Sequence, residues 1–328
     1  MATATTTVTA NSGESVGESP YLQALQRDGF VRIPSLLTAA QVASLREPAL
    51  HATGVTRAGK WPHFRTVPKQ FPPWPTTAPP ASEGGIWGVQ HLLHPDMPGR
   101  QEFAKFYFSD AVLAIVEQLL ELTPDRDGQE SLVLELFNLL VAPEELDFEL
   151  RWHRDDIPAT AGPEEEMQQL QSKSPEGKQS HAQYNLALYP DSSLIVIPGS
   201  HRRVRTDIER AADPYEPSLP DQLIVKLEPG DAVFYDSNIL HRGAYHAKAA
   251  GAEETRMTLH GSVGKLPLSS RSDQAVPNVR ATAVLQHGVG AWVSRDDARF
   301  GIGERPERMR RNLMAMGSGS GVGYSLEG

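Results

Sequence analysis

The chain has 328 residues, of which 39% are hydrophobic and 22% are charged, so it is long enough to bury a large core as one domain or at most two. Its formal net charge of -10 argues against a nucleic-acid-binding surface, and no segment approaches the ~18–20 apolar residues of a membrane span. It contains no cysteine, which excludes disulfides and cysteine nucleophiles and leaves only nitrogen and oxygen ligands for a metal.

The two ends of the chain are expected to be unstructured. Residues 1–18 lack the hydrophobic core of a signal sequence and the arginines of a transit peptide, so we expect a disordered leader and a cytoplasmic protein. Residues 311–328 include a glycine- and serine-rich stretch and are expected to form a flexible tail. Between them we expect a single domain over 19–310, with a helical part at 19–125, a β core at 130–265 and a C-terminal extension at 266–310.

Helices dominate the predicted elements of the N-terminal part. Ser19 and Ser109 each precede a helix as an N-cap, and Thr38 with Gln41 forms a capping box before another. A short alternating segment between the first two helices predicts a strand. The helices are predicted over residues 20–26, 39–52 and 110–120, and the strand over residues 30–33.

Residues 57–100 are rich in proline, tryptophan and glycine and are predicted to be mostly loop. A loop of this length inside a compact domain is often a lid or a binding segment. Two interpretations of its aromatic side chains remain open: they wall a pocket for an apolar molecule, or they pack the loop onto the core. The side chains concerned are those of Trp61, Phe64, Trp74 and Trp87.

From residue 132 onward, short apolar segments alternate with turns rich in proline, glycine, aspartate and serine, which is typical of a sandwich or jelly roll. Strands are predicted over residues 132–141, 150–155, 184–189, 193–197, 223–227, 232–235 and 256–263. A polar segment at 164–178 is expected to be a mobile insertion. The predicted fold class is therefore mainly β, with flanking α-helices.

A His-x-Asp pattern occurs on one of these predicted strands. Residues two apart on a strand point to the same face, so His153 and Asp155 could both project inward while Arg154 points away. A second copy, His94-Pro95-Asp96, lies in the loop-rich region, where its proline cannot donate to a sheet. We interpret His94 and Asp96 as surface loop residues.

Further motifs follow the first copy in a definite order. They are a Pro-Gly-Ser-His turn at 198–201, a Pro-Gly-Asp turn at 229–231 that leads into an apolar strand, His241, and Arg256 at the start of a strand. This ordered set resembles the phytanoyl-CoA dioxygenase family of Fe(II)/2-oxoglutarate oxygenases. The resemblance extends from about residue 20 to residue 265 and implies a double-stranded β-helix, that is, a jelly-roll, cupin-like core.

The resemblance also implies a metal site of two histidines and one carboxylate. By position, His153, Asp155 and His241 would be the catalytic iron ligands, a set that leaves one face of the metal open. In the family, the open face takes the co-substrate 2-oxoglutarate and then O2.

Two further residues are assigned to the co-substrate. By its position after the distal histidine, Arg256 would bind the distal carboxylate of 2-oxoglutarate through its planar guanidinium group. Arg242 is a rival, although on a strand it would face away from the metal because it directly follows His241. Asn138, a polar residue in an apolar predicted strand, is interpreted either as a contact to the co-substrate or as a hydrogen-bonded core amide.

We therefore expect a dioxygenase that oxidises a small-molecule substrate, with hydroxylation as the outcome and release of succinate and CO2. The predicted substrate is hydrophobic, such as a secondary metabolite or a lipid, and no nucleic-acid or membrane partner is expected. The oligomeric state is open, with a homodimer as one option. Two alternatives are a non-catalytic cupin-like binding protein and a zinc or manganese cupin that acts as a hydrolase or isomerase; Arg256 disfavours the second, since those reactions use no 2-oxoglutarate.

Overall fold

The structure, a computed structural model, describes residues 19–66, 75–122, 131–173, 179–247, 256–267 and 278–317. It consists of two antiparallel sheets with flanking helices and has a jelly-roll core, so the predicted fold class is confirmed. The expected leader at 1–18, the tail from residue 318 and Trp74 lie outside the described residues. Within the described ranges, no helix combines the length and hydropathy that crossing a bilayer requires.

The helices begin at capping residues for the most part, as the sequence predicts. Ser19 accepts a hydrogen bond from the backbone of Tyr21, and Thr38 and Gln41 form the predicted capping box. Within the described ranges the α-helices are α1 (Pro20–Asp28), α2 (Ala39–Arg57), α3 (Arg100–Tyr107), α4 (Asp110–Leu119), α5 (Pro163–Lys173), α6 (Asp207–Ala211), α7 (Val279–Gln286) and α8 (Glu304–Met316). Short 3-10 segments occupy Ala81–Glu83, Ser200–Arg202, Val289–Ala291 and Asp296–Ala298.

The two sheets share the strands unequally. The larger has the order β1-β9-β6-β11-β4-β3-β2, and the smaller has the order β5-β10-β7-β8. The strands of the larger sheet, the major sheet, are β1 (Phe30–Ile33), β2 (Phe64–Thr66), β3 (Ile86–Val89), β4 (Leu132–Val141), β6 (His181–Ala187), β9 (Ala232–Tyr235) and β11 (Met257–Lys265). Those of the smaller, the minor sheet, are β5 (Phe148–Glu149), β7 (Leu194–Val196), β8 (Leu223–Ile224) and β10 (His241–Tyr245).

The main hydrophobic core lies on the outer face of the major sheet. Alternate residues of β6, such as Tyr184 and Leu186, join a cluster with Phe103 and Phe106 of α3 and with Leu313 of α8. The other face of the sheet looks inward, toward the minor sheet, because successive side chains on a strand point to opposite faces. Helices α3 and α8 therefore cover the outer face, and the inner face borders a cavity.

The Pro-Gly-Asp turn joins the N-terminal segment to this core. Gly230 has a φ of +92°, and a Cβ atom there would lie 2.5 Å from the carbonyl oxygen of Leu37, so the turn requires glycine. Asp231 accepts hydrogen bonds from the guanidinium group of Arg32 at 2.8 Å and from the backbone N–H of Ser35 at 2.8 Å. The motif thus fixes the strand β1 and the approach to α2 against the sheet.

The prediction that residues 57–100 are mostly loop is wrong in part. Helix α2 continues to Arg57, and β2 and β3 extend the major sheet by two strands. Trp61, Phe64 and Trp87 are all buried, with Trp61 and Phe64 at 4% and 3% exposure. The indole N–H of Trp61 donates to a backbone carbonyl at 3.0 Å, so this ring packs the segment onto the core.

Two further expectations about the β core need correction. The strand predicted over 150–155 is absent: β5 ends at Glu149, and only His153 makes a bridge to another strand. The segment expected to be mobile at 164–178 begins with α5, whose Glu166 is completely buried against arginines. A buried ion pair, which a polar composition does not reveal, holds this helix in place.

Beyond the β core, the C-terminal extension is helical. Helix α7 packs over the inner face of the sheet, and α8 packs on β4. Helix α8 ends at Met316, six residues past the boundary at 310 that we expected from the sequence.

Candidate active site

The two histidines proposed as metal ligands lie directly opposite each other on paired backbone segments. The N–H of His153 donates to the carbonyl of His241 at 3.0 Å, and the reciprocal hydrogen bond is also 3.0 Å. Their ring centroids are 4.3 Å apart. A single two-residue bridge therefore replaces the predicted strand and is sufficient to bring the distant histidine beside the His-x-Asp segment.

Backbone carbonyls orient both imidazole rings. The Nδ1 atom of His153 lies 2.8 Å from the carbonyl oxygen of Arg151, and that of His241 lies 2.8 Å from the carbonyl oxygen of Ile239. Because a carbonyl can only accept, each Nδ1 is the donor in these contacts, and in that tautomer the electron pair that can bind a metal is on Nε2. Burial, assisted by the nearby His153, lowers the pKa of His241 to about 4, so this ring is neutral near pH 7.

Asp155 completes the group. Its Oδ1 atom lies 3.4 Å from the Nε2 atom of His153 and 3.6 Å from that of His241. Its Oδ2 atom accepts a hydrogen bond of 2.8 Å from the side-chain amide of Gln183. Burial alone would raise the pKa of this carboxyl, but His241, His153 and Gln183 outweigh burial and hold it well below its usual range.

These three side chains can hold a metal ion. One ligand atom from each lies within 4.8 Å of the others, and no other group of this kind occurs among the described residues. Two imidazoles and one carboxylate suit Fe(II), Mn(II) or Zn(II). The structure thus brings together the three residues that the sequence predicted as ligands.

The second His-x-Asp copy is different. His94 is not a surface residue as we interpreted it: it is 8% exposed and packs edge-on against Trp61 and Trp292, with ring centroids 5.2 and 5.7 Å away. Asp96 is exposed and forms an ion pair with Arg295 at 3.2 Å. This copy is therefore structural, with its histidine in an aromatic cluster and its carboxylate at the surface.

The Pro-Gly-Ser-His turn supports the metal-binding group from behind. The hydroxyl of Ser200 accepts a hydrogen bond of 2.7 Å from the backbone N–H of Leu240, the residue before His241. His201 lies 3.2 Å from the carbonyl oxygen of Gln26 and does not reach the metal-binding group. The turn therefore positions the chain that carries the distal histidine.

Arg154, between the two ligands of the first copy, points away from them and is fully buried. Its guanidinium group donates to Glu166 at 2.9 Å and to the carbonyl oxygens of Ser200, Arg203 and Asn238, the last through a short contact. It thereby links the His-x-Asp segment to the Pro-Gly-Ser-His turn and to the segment just before His241. The buried pair with Glu166 attaches α5 to the same region.

We expect replacement of Arg154 by methionine to lower the free energy of unfolding by about 3–5 kcal/mol, the usual cost of removing one partner from a buried ion pair. The matched control is Arg27→Met, which breaks an exposed pair with Asp28 worth at most about 1 kcal/mol. Urea denaturation monitored by circular dichroism measures both. Equal losses in the two variants would contradict the structural role of Arg154.

Arg256 has buried hydrogen-bond donors that are unused. Its Nε atom donates to Asp191 at 2.9 Å, and its guanidinium carbon lies 4.6 Å from the ring centroid of Tyr245. Its two terminal nitrogens, Nη1 and Nη2, are buried and have no hydrogen-bond partner. Two orphaned parallel donors match the two oxygens of a carboxylate, so Arg256 fits the expected co-substrate.

The rival arginine is already engaged elsewhere. Arg242 donates to Glu149 at 3.0 Å and to the carbonyl oxygens of Tyr215 and Pro217 at 3.3 Å each. Its guanidinium carbon lies over the ring of Trp152. This direction agrees with the strand alternation expected for the residue after His241.

Asn138 lies on the inner side of β4, opposite His260 of β11. Its Oδ1 atom accepts a hydrogen bond of 3.1 Å from the backbone N–H of His91, and its amide nitrogen is buried with no partner. Asn138 does not line the cavity described below. The hydrogen bond to the oxygen agrees with the interpretation of Asn138 as a core amide. The unpartnered nitrogen leaves a contact to the co-substrate as the second interpretation.

A cavity of about 490 Å³ adjoins the metal-binding group between the two sheets, within the size range of small-molecule sites. Tyr245 and Ser193, which contact Arg256 and its partner Asp191, line one end of it. Helix α7 covers another side. The metal-binding side chains therefore line the cavity, whereas Arg256 contacts it through the ring of Tyr245.

The sequence did not single out several residues of this cavity. They are Arg65 of β2, Gln183 and Asn185 of β6, His260 and Ser262 of β11, and Asn278, Arg280 and His287 in or beside α7. For β6 a signal existed: His181, Gln183 and Asn185 are polar at every second position of an otherwise apolar strand. The residues around α7 gave no such signal because their contact with the cavity depends on tertiary packing.

Residues 25–247 match the model of the phytanoyl-CoA dioxygenase (PhyH) family. Among curated proteins, none matches this chain. Solved structures share the fold at low sequence identity. AviO1 from Streptomyces viridochromogenes Tue57 is 16% identical with a TM-score of 0.50, over 77% of this chain and 96% of that one. EctD from S. alaskensis, solved with bound Fe, is 17% identical with a TM-score of 0.50, over 83% and 82% of the two chains.

The family match covers more than half of the chain, so the protein belongs to the phytanoyl-CoA dioxygenase family and is an oxidoreductase. EctD has also been solved with bound 2-oxoglutarate. In the present chain, the His153, Asp155 and His241 side chains could bind a metal ion.

Proposed function

We propose that this protein is an Fe(II)- and 2-oxoglutarate-dependent dioxygenase that hydroxylates a small organic molecule and releases succinate and CO2. The observation that supports this most directly is the combination of a two-histidine, one-carboxylate group with an orphaned arginine beside one cavity. A metal site alone would suit several enzyme classes, whereas the two buried terminal nitrogens of Arg256, which Asp191 does not reach, need a further acceptor.

In this proposal, His153, Asp155 and His241 hold the iron. The carbonyl oxygens of Arg151 and Ile239 keep each imidazole in the tautomer whose Nε2 atom can bind a metal. Gln183 holds Asp155 through one carboxylate oxygen and so leaves the other for the ion. When bound, Fe(II) and 2-oxoglutarate supply the chemistry that activates O2 and oxidises a C–H bond.

Arg256 would orient the co-substrate. Asp191 holds its Nε side and the ring of Tyr245 supports its plane, so the two terminal nitrogens are presented as a rigid pair. Burial strengthens a charge-assisted hydrogen bond, since little water competes for the donors. A bidentate contact of this kind selects a planar carboxylate, which a lysine would bind less specifically.

The hydrophobic substrate predicted from the loop aromatics has little support in the cavity. Trp61 and Phe64 pack into the core, and of the loop aromatics within the described residues Trp87 alone lines the cavity. The rest of the lining combines polar side chains with apolar ones, among them Leu136, Leu140 and Val284. We therefore keep the proposed reaction and consider the substrate class separately below.

The two alternatives from the sequence are less well supported. A non-catalytic binding protein would not need three side chains whose metal-binding atoms converge. A zinc or manganese hydrolase would use the metal group but has no carboxylate co-substrate for Arg256, whose terminal nitrogens would stay buried without a partner.

Anaerobic addition of Fe(II) and 2-oxoglutarate to the purified protein tests the proposal. We expect a weak visible charge-transfer band, because the keto acid chelates the metal only when both are bound at one site. Succinate, which has no keto group, is the matched control and should give no band. A folded protein that binds Fe(II) and shows no band with 2-oxoglutarate would contradict the proposed function.

A further inference from the structure

The inner face of the major sheet is hydrophilic beside the metal-binding group. The side chains of β6 that face the cavity are those of His181, Gln183 and Asn185, and on β11 they are those of His260 and Ser262. Strand pairing places Asn185 opposite His260 and Gln183 opposite Ser262. These residues form a continuous polar surface where the interior of a protein is normally apolar.

Part of this polar surface is held rigid by internal hydrogen bonds while other groups remain unused. The Oδ1 atom of Asn185 lies 2.8 Å from the Nδ1 atom of His260, so its amino group is free to donate elsewhere. The Oδ1 atom of Asn238, a residue that is 4% exposed, is buried without a partner. Asp156 accepts a hydrogen bond of 2.7 Å from Ser237 and also lines the cavity.

An apolar patch faces part of the same cavity. Trp87, Leu136, Leu140 and Leu150 contribute to it, and the indole N–H of Trp87 is fixed by a 3.0 Å hydrogen bond to the carbonyl of Thr66. A fatty chain or an aromatic hydrocarbon would cover this patch but would also strip water from the polar surface without replacing its hydrogen bonds. A substrate must therefore offer both hydroxyl groups and C–H surface.

The C-terminal extension adds further polar groups. Asn278, Arg280 and His287 in or beside α7 line the cavity and lie beyond residue 247, where the family match ends. Arg280 forms a bidentate ion pair with the buried Glu135 of β4, which anchors the helix over the cavity. The wall formed by α7 thus combines these polar groups with the apolar side chains of Val279 and Val284, and the ion pair with Glu135 holds it in place.

Resting on the proposed function, we infer that the substrate is a polyhydroxylated ring compound, such as a sugar or a cyclitol. Such rings carry hydroxyl groups around their edge and C–H groups on their faces, which matches the division of the cavity into a polar surface and an apolar patch. Planar amide side chains can donate and accept toward neighbouring hydroxyls at the same time. A site built on hydrogen bonds to hydroxyls rejects analogues that lack them.

Matched ring compounds test this inference on the full-length protein loaded with Fe(II) and 2-oxoglutarate. One pair is myo-inositol and cyclohexanol, which share a six-carbon ring but have six hydroxyls and one. The other is methyl glucoside and 2-methoxytetrahydropyran, which share an oxygen-containing ring with and without hydroxyls. Anaerobic calorimetry measures binding, and aerobic succinate formation measures coupling to the reaction. We expect the hydroxylated member of at least one pair to bind and stimulate at least about tenfold better than its partner.

Two variants connect the effect to the polar surface. Asn185→Leu and Asn238→Ala should each weaken binding of the hydroxylated compound about tenfold or more. Asn238→Ala is expected to fold, because the side-chain oxygen of Asn238 has no hydrogen-bond partner to lose. Gln118→Leu, an exposed amide replacement on α4, should leave binding unchanged. In each variant the charge-transfer band with Fe(II) and 2-oxoglutarate should persist.

Preference for cyclohexanol and 2-methoxytetrahydropyran over their polyhydroxylated partners, or no effect from either polyhydroxylated compound, would overturn the inference. Binding that survives both asparagine variants would overturn it as well. Because the band tests the metal and the co-substrate without any substrate, failure of the proposed function would appear as loss of the band, whereas failure of this inference would leave the band intact.

Discussion

His153→Ala is expected to abolish stable iron binding. The substitution removes one of three converging ligand atoms. Among the described residues, no other histidine or carboxylate completes a metal-binding group with His241 and Asp155. Loss of a residue that merely orients a metal ligand costs about 10–100-fold in affinity, so loss of a ligand itself should cost more than about 100-fold. Iron content after anaerobic gel filtration and Fe(II) titration followed by calorimetry both measure the effect.

The second His-x-Asp copy supplies the control for this experiment. His94→Ala should retain iron binding, although it removes a ring packed against Trp61 and Trp292 and is expected to lower thermal stability. Recording the melting temperature of both variants separates unfolding from loss of the metal. Equal loss of iron from the two folded variants would reverse the choice between the two copies.

The residues of the site that could be predicted are those that belong to a local sequence pattern or follow one in a fixed order. His153 and Asp155 could be proposed from local spacing, and His241 from its order after two recognisable turns. Their convergence needed no long strand, since one backbone bridge between His153 and His241 is enough. The walls of the cavity could not be predicted in the same way, because α7 reaches them only through tertiary packing.

The errors in the predicted fold have related physical causes. Apolar alternation before His153 indicated a strand, but in the structure Trp152 donates its backbone N–H to Pro214 in a loop instead of to a neighbouring strand. The polar segment from residue 164 was expected to be mobile because its composition is hydrophilic. Glu166 is instead buried against Arg154, Arg205 and Arg210, and such pairing leaves no periodic signal in the sequence.

Arg256→Ala should weaken binding of 2-oxoglutarate far more than binding of iron. Removing one partner of a buried, hydrogen-bonded charge pair costs about 2–5 kcal/mol, which corresponds to a loss of roughly 30-fold or more in affinity. Iron should stay bound, because Arg256 contacts Asp191 and Tyr245 rather than the three metal-binding side chains. Titration of 2-oxoglutarate into the Fe(II)-loaded protein, followed by the charge-transfer band, gives the affinity directly.

The substitution also leaves Asp191 without its ion-pair partner, so a second variant is needed to separate the two effects. Arg256→Lys restores a positive charge near Asp191 but cannot present two parallel donors, and it should recover stability while 2-oxoglutarate binding stays weak. Arg242→Ala removes the hydrogen bond to Glu149 and should reduce stability with little change in co-substrate affinity. The opposite result, in which Arg242→Ala weakens 2-oxoglutarate binding and Arg256→Ala does not, would contradict this assignment. The terminal nitrogens of Arg256 would then bind another anion. The co-substrate would have to enter from the side of β10 on which Arg242 lies.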